Sequence, residues 1–221
     1  MLFRSKHFAK NGIRLISISR NNFKSLPNEK KIISKKYDEK NLLSKIKNSD
    51  ALIHLVGIGH QSTEMDFEMI NVEFTNHIIH LCKKAKINKF VYASGLGVSE
   101  NSSSGYFISK FKAEKLIIKS GLNYTIFRPS YIVGKDDLFT KYLKKQIKKG
   151  KIEIPGSGKY SIQPIFIDDV AQIFLQSVLQ TKFNKKIIDL VGPDLITFEK
   201  YVKLFSRKSK TKIEKINLED A

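Results

Sequence analysis

Apolar residues in this chain fall into short continuous runs separated by segments of helical spacing. Residues 13–19, 50–56, 89–94 and 122–129 are such runs and read as buried strands, with 31–35 as a weaker one. Between them, 39–47, 67–86 and 104–120 repeat apolar residues at helical intervals. Residues 1–11 read as the tail of a further helix, stopped at Lys10-Asn11-Gly12. Strands that are apolar on both faces and alternate with helices belong to a parallel sheet covered on both sides. Right-handed crossovers then give an α/β, doubly wound parallel sheet, with its ligand crevice at the strands' carboxyl ends.

Past Gly134 the pattern changes. Residues 138–149 form a basic amphipathic helix, 152–158 a short strand and turn, and 161–166 an extended segment. Asp168-Asp169 reads as the cap of a helix running to Leu179, residues 186–190 as a strand, and Thr197 as the cap of a last helix. From Ser206 onward the chain is polar and charged, and reads as a frayed end. The expectation is one domain over 1–221, with the sheet core in 1–134 and a substrate-side region with C-terminal helices in 135–221.

Composition narrows the classes. The formal charge is +19 with 40 Lys and Arg against 21 Asp and Glu, a balance that suggests nucleic acid or an anionic surface. However, only Arg4, Arg14, Arg20, Arg128 and Arg207 are arginines, and phosphate recognition favours the planar guanidinium fork. Spread lysine in an Ile- and Asn-rich chain reads as a solvated basic face, so nucleic acid is not the expected partner. Cys82 is the one cysteine, which excludes an intramolecular disulfide, fits a cytoplasmic setting, and reads as a buried structural thiol. His7, His54, His60, His77 and His80 form no metal-ligand pattern, so no metal is expected. No apolar run is long enough to span a membrane, and no signal-peptide apolar region opens the chain.

The stretch from Gly105 to Glu114 carries the candidate chemistry. On a helix, Tyr106 and Lys110 share one face. An ammonium beside a phenol favours the phenolate and lowers its pKa toward the working range, making Tyr106 an acid–base candidate.

The motifs around that pair stand in a recognisable order. They are Asp50-Ala51-Leu52-Ile53-His54-Leu55-Val56-Gly57, Asn71-Val72-Glu73-Phe74-Thr75, Phe90-Val91-Tyr92-Ala93-Ser94, and Tyr106 with Ser109-Lys110 and Ala113-Glu114. Gly121 to Ser130, Gln163 to Ala171, and Gly192-Pro193-Asp194 complete the series. In this order the chain resembles the short-chain dehydrogenase/reductase superfamily, in the extended and atypical branch. That branch holds NAD-dependent epimerases and dehydratases of nucleotide sugars and the nucleotide-binding accessory subunit of respiratory complex I. The resemblance implies a Rossmann-like fold binding NAD(P). It implies Tyr106 as the acid–base residue, Lys110 as the ribose-binding and pKa-lowering cation, and Asn71 as the helix asparagine of a proton relay. It also implies that Arg20 meets the adenosine ribose, slightly favouring NADP, that Gly57 admits the cofactor to the backbone, and that Pro129 and Ile132 border the nicotinamide.

Two departures bear on function. The family opens with a strand and a glycine-rich turn that seats the pyrophosphate, whereas residues 5–12 align with the helix after that turn. The fold expected is therefore an N-terminally truncated one. It implies a start upstream of Met1, which is the preferred reading, or a fragment, or poor dinucleotide binding. Second, the family's catalytic serine or threonine follows the strand ending at Ser94. The alignment puts Gly95 there, with Ser94 kept as a candidate one residue away. The reading leans toward an NAD(P)-dependent oxidoreductase or epimerase-like enzyme acting on a small hydroxyl or carbonyl substrate. The alternative is a non-catalytic dinucleotide-binding module in a protein complex or homodimer. A third is a basic RNA- or membrane-surface-binding relative.

Overall fold

The structure, a computed structural model, describes residues 7–35, 37–135 and 137–217. The chain divides into two compact units. The first comprises residues 1–129 and 171–189, and the second 130–170 and 190–221.

In the first unit, β3 (Ala51–His54), β4 (Lys89–Ala93) and β5 (Asn123–Pro129) form a parallel sheet, with β10 (Lys186–Leu190) hydrogen-bonded along the far side of β5. β4 is central and alternates cleanly. Phe90 and Tyr92 enter the same core as Ile126 of β5, whereas Phe127 of β5 packs against Phe174, with the rings tilted and their centroids 4.8 Å apart. One face is covered by α1 (Glu39–Ile46), α2 (Phe74–Lys84) and α3 (Gly105–Lys119), through Leu42, Ile46, Ile78, Leu81, Ala113 and Ile117. Phe174 brings α5 (Ile167–Leu179), which joins this unit from Ala171 on, to the opposite face. The sheet is thus covered on both sides, the α/β doubly wound arrangement the hydrophobic pattern predicts.

β1 (Leu15–Ser19) and β2 (Glu29–Ile33) form a separate two-stranded parallel sheet, packed on the same core through Ile18 and Ile32. Among the described residues no ladder joins it to the β3–β4–β5–β10 sheet. β2 starts two residues before the predicted strand, because Glu29 is drawn in by accepting from Ser17 Oγ and from the Leu26 amide. The helix of residues 7–10 ends as predicted at Gly12, whose φ of +74° is the left-handed turn that glycine adopts without strain. The first residues of that predicted helix, 1–6, lie outside the described residues.

The second unit has its own core of Leu143, Ile152, Ile154, Ile162, Phe198 and Val202. It contains β6 (Ile132–Val133) paired with β9 (Ile165–Phe166), and β8 (Ser161–Ile162) paired with β11 (Ile196–Thr197). Its helices are α4 (Leu138–Lys148), capped by Asp137, and α6 (Phe198–Ser206), capped by Thr197, which accepts from the Lys200 amide. Three expectations are corrected here. Residues 161–166 are two short strands interrupted at Gln163-Pro164 rather than one extended segment. Asp168 and Asp169 lie in the first turn of α5, where carboxylates suit the positive helix end, and not at its cap. Most clearly, residues 207–217 are not a frayed end, since β12 (Lys212–Ile216) pairs in parallel with β7 (Lys151–Pro155); residues 218–221 of that expectation lie outside the described residues.

Candidate functional site

The site lies in the first unit, where β3, β4 and α3 meet a π-helical turn, Glu68–Glu73, that leads into α2. That turn carries Asn71, whose side chain is fully buried. Asn71 Oδ1 accepts from the Ile58 amide at 3.0 Å, and Nδ2 donates to the Ile58 carbonyl at 3.1 Å and to Ser109 Oγ at 3.0 Å. Both N–H groups and one of the two oxygen lone pairs of the amide are therefore used, and it pins the loop after β3 to α3. The residue expected as the helix asparagine of a relay is, in this arrangement, the staple of the loop that carries Gly57.

Gly57 is the point of closest approach. A Cβ there would lie 2.8 Å from Lys110 Nζ and 3.1 Å from Asn71 Oδ1. Lys110 is 4% exposed. Its Nζ donates to Tyr92 Oη and to the Ala93 carbonyl, each at 3.1 Å, and lies 4.8 Å from the centre of the Tyr92 ring. Burial pushes the ammonium down to about 8, against an opposing pull from Glu114.

Tyr92 is supported from behind. Its ring stacks on His54 at 5.5 Å and 20°, and His54 is held in turn by Thr75. Thr75 Oγ1 gives its one proton to the Asn71 carbonyl at 2.7 Å, so the 3.0 Å contact with His54 Nε2 has the imidazole as donor. Complete burial, with the Lys110 charge nearby, pushes His54 down to about 3 and keeps it neutral.

Tyr106 stands one turn ahead of Lys110 on α3, flanked by Phe67 at 6.1 Å and Phe107 at 5.2 Å. The expected lowering of its phenol is not found. Burial pushes it up instead, because Lys110 directs its hydrogen bonds to Tyr92 and Ala93. The neighbour of the Tyr106 hydroxyl is Gly95, where a Cβ would lie 3.3 Å away. Ser94 faces elsewhere. Its buried Oγ donates to Glu114 Oε1 at 2.5 Å, and Glu114 takes a two-point ion pair from Arg128 at 3.0 and 2.6 Å. The Ser94 hydroxyl is therefore committed to the core, leaving glycine beside the phenol.

The remaining predicted residues lie as follows. Arg20 is exposed just past β1, with Nη1 3.8 Å from Met65 Sδ and its charge opposing the burial-raised pKa of Tyr37. The Pro129 carbonyl accepts from the Leu96 amide at 2.9 Å, next to Gly95. Ile132 belongs to the second unit, paired with Ile165 of β9. Sequence reasoning did not single out His54, Thr75, Tyr92, Glu114 or Arg128 for this network.

Comparison with known proteins decides the family. The description "NAD dependent epimerase/dehydratase family" matches residues 5–190. The chain belongs to that family. NADH dehydrogenase (ubiquinone) 1 alpha subcomplex subunit 9 of Dictyostelium discoideum is 27% identical over 166 residues, covering 75% of this chain and 46% of that protein. The Arabidopsis thaliana protein of the same name is 25% identical over 163 residues, covering 72% and 40%. The chain thus spans under half the length of these relatives. Among solved structures, MoeE5 in complex with UDP-glucuronic acid and NAD superposes with a TM-score of 0.83 at 17% identity, covering 98% of this chain and 81% of that one. UDP-glucuronic acid 4-epimerase of Bacillus cereus, in complex with the same two ligands, gives 0.81 at 16%, covering 97% and 82%. At such identities the likeness establishes the Rossmann-like fold of the epimerase/dehydratase family.

Proposed function

We propose that this member of the epimerase/dehydratase family binds an NAD(P) dinucleotide across the carboxyl ends of β1, β3 and β4. The observation that carries the reading is Gly57: the residue is exposed, and its missing side chain makes room for the buried, doubly anchored Lys110 ammonium directly behind it. A hydroxyl-rich ribose suits that pairing of a fixed cation with accessible backbone. Asn71 holds the Ile58 loop in place, and Arg20 would meet the adenosine end, which favours NADPH over NADH. When bound, the dinucleotide supplies hydride chemistry. The chain's part is to hold it, to exclude water with Phe67 and Phe107, and to offer the Tyr106 hydroxyl for proton transfer.

The test is fluorescence titration of the full chain with NADH and NADPH, alongside Lys110→Met, Gly57→Val and Arg20→Ala. Wild type should bind, with both site variants weakened at least tenfold and Arg20→Ala losing NADPH more than NADH. Absence of saturable binding to wild type would overturn the reading.

Gly95 favours a second reading, a module that holds dinucleotide within a larger assembly without turnover, in keeping with the names of its relatives in NADH dehydrogenase. Gly95 offers no side-chain donor beside the Tyr106 hydroxyl, and Ser94 is engaged by Glu114. Nicotinamide absorbance in single turnover with UDP-glucuronic acid or UDP-glucose distinguishes the two. Hydride transfer that disappears in Tyr106→Phe supports the enzyme. Equal traces for wild type and Tyr106→Phe, with transfer gained in Gly95→Ser, support the holding module.

A further inference from the structure

We infer that Tyr92 is a positioning residue for Lys110, fixing the ammonium against Gly57 through its hydroxyl and ring. This rests on the dinucleotide reading for its functional consequence, but not for its geometry. Lys110 has three N–H bonds, and among the described residues two of them are taken, by Tyr92 Oη and the Ala93 carbonyl. The third remains for a ligand acceptor at the Gly57 loop. Ala93 is a backbone group that any sequence would supply, whereas the Tyr92 oxygen is specific to this side chain.

Tyr92 can act this way because it is itself immobile. It is fully buried and stacked on His54, whose Nε2 is bonded to Thr75, which is bonded in turn to the backbone of Asn71. One continuous chain of contacts therefore runs from α2 through β3 and β4 to the lysine, and shares Asn71 with the loop that carries Gly57. The charged or titratable groups facing Lys110 are Glu114 on its own helix, His54 on β3 and Tyr92 on β4. Of these only Tyr92 hydrogen-bonds Nζ. Tyr92→Phe keeps the ring under the ammonium and removes the acceptor, so it isolates the hydrogen bond.

The experiment combines NADH and NADPH titrations over a pH series with NMR of nitrogen-15 lysine-labelled protein, which reads the Lys110 ammonium without any ligand. A neutral acceptor stabilises the charged form, so in Tyr92→Phe the Lys110 titration should move to lower pH than in wild type. Dinucleotide affinity should fall about three- to tenfold at neutral pH, with the fall growing as pH rises. Thr75→Val, which keeps the phenol but removes the hydrogen bond that holds His54 beneath its ring, should shift both readouts the same way by less, and serves if Tyr92→Phe fails to fold. If wild type and Tyr92→Phe bind dinucleotide equally and Lys110 titrates at the same pH, the inference is overturned while the binding reading stands. If wild type binds nothing, the binding reading fails, and the NMR titration alone decides the role of Tyr92.

Discussion

Lys110 illustrates how a single residue at this site is set against stability. Its folded pKa of about 8 lies below the ordinary 10.5. The unfolded chain therefore holds a proton that the folded chain sheds between those values, and stability rises with pH across that window. Below about 8 both states are protonated and the burial cost is borne in full, of order 3 kcal/mol before the Tyr92 and Ala93 bonds offset part of it. Lys110→Met should accordingly raise the urea midpoint at neutral pH, and the advantage should shrink as pH approaches 10.5. A lower midpoint at pH 7 would show the lysine to be a net structural asset. Tyr106 and Lys110 were legible in the sequence because helical spacing alone puts them on one face. The partners of Lys110 were not, because Tyr92 and Thr75 come from elements whose inward positions read as ordinary core until their register is known. The mistaken pKa direction for Tyr106 has the same root: proximity along the helix was visible, and the competing acceptors on β4 were not.

At the scale of elements, the strands β3, β4, β5 and β10 and the helices between them follow the apolar runs to within a residue or two. β12 does not. Lys212-Ile213-Glu214-Lys215-Ile216 carries enough charge to read as a solvated tail, and its strand character depends on a partner distant in sequence, β7. The pairing places Lys151 between Glu153 and Glu214, with Lys212 also on Glu214, and these ammonium groups hold the Glu214 carboxyl down at about 2. Those groups are exposed and screened, so the ladder and the packing of Ile213 on the second core give β12 its stability. Removing residues 208–221 should therefore strip hydrogen-exchange protection from the β7 amides that pair with β12, and leave β4 and β5 of the first unit protected. Replacing Glu214 with Gln should change little at physiological salt. Unchanged exchange in β7 after the truncation would mean that β12 adds no protection to its neighbour.

Across the whole molecule, doubly wound topology was readable because periodicity distinguishes strand from helix, and alternation of the two specifies a covered parallel sheet. Among the described residues no ladder joins the β1–β2 pair to β3, and that has a measurable consequence. β4 is bonded on both edges and its Phe90, Val91 and Tyr92 are fully buried. β1 and β2 share one ladder, and Ile16 and Ile33 remain 36% and 42% exposed. Local opening costs least where few apolar contacts break and backbone bonds are solvent-accessible. Native-state exchange should thus be slowest in β4 and β5, and faster in β1 and β2 by about two orders of magnitude, corresponding to roughly 3 kcal/mol in opening free energy. Added NADPH should slow exchange at Gly57 and Ile58 more than in β10, because the binding crevice proposed here borders that loop and not the far edge of the sheet. Uniform exchange across all six strands would show that β1 and β2 are held to the sheet as firmly as β4, and that the break in hydrogen bonding has no energetic weight.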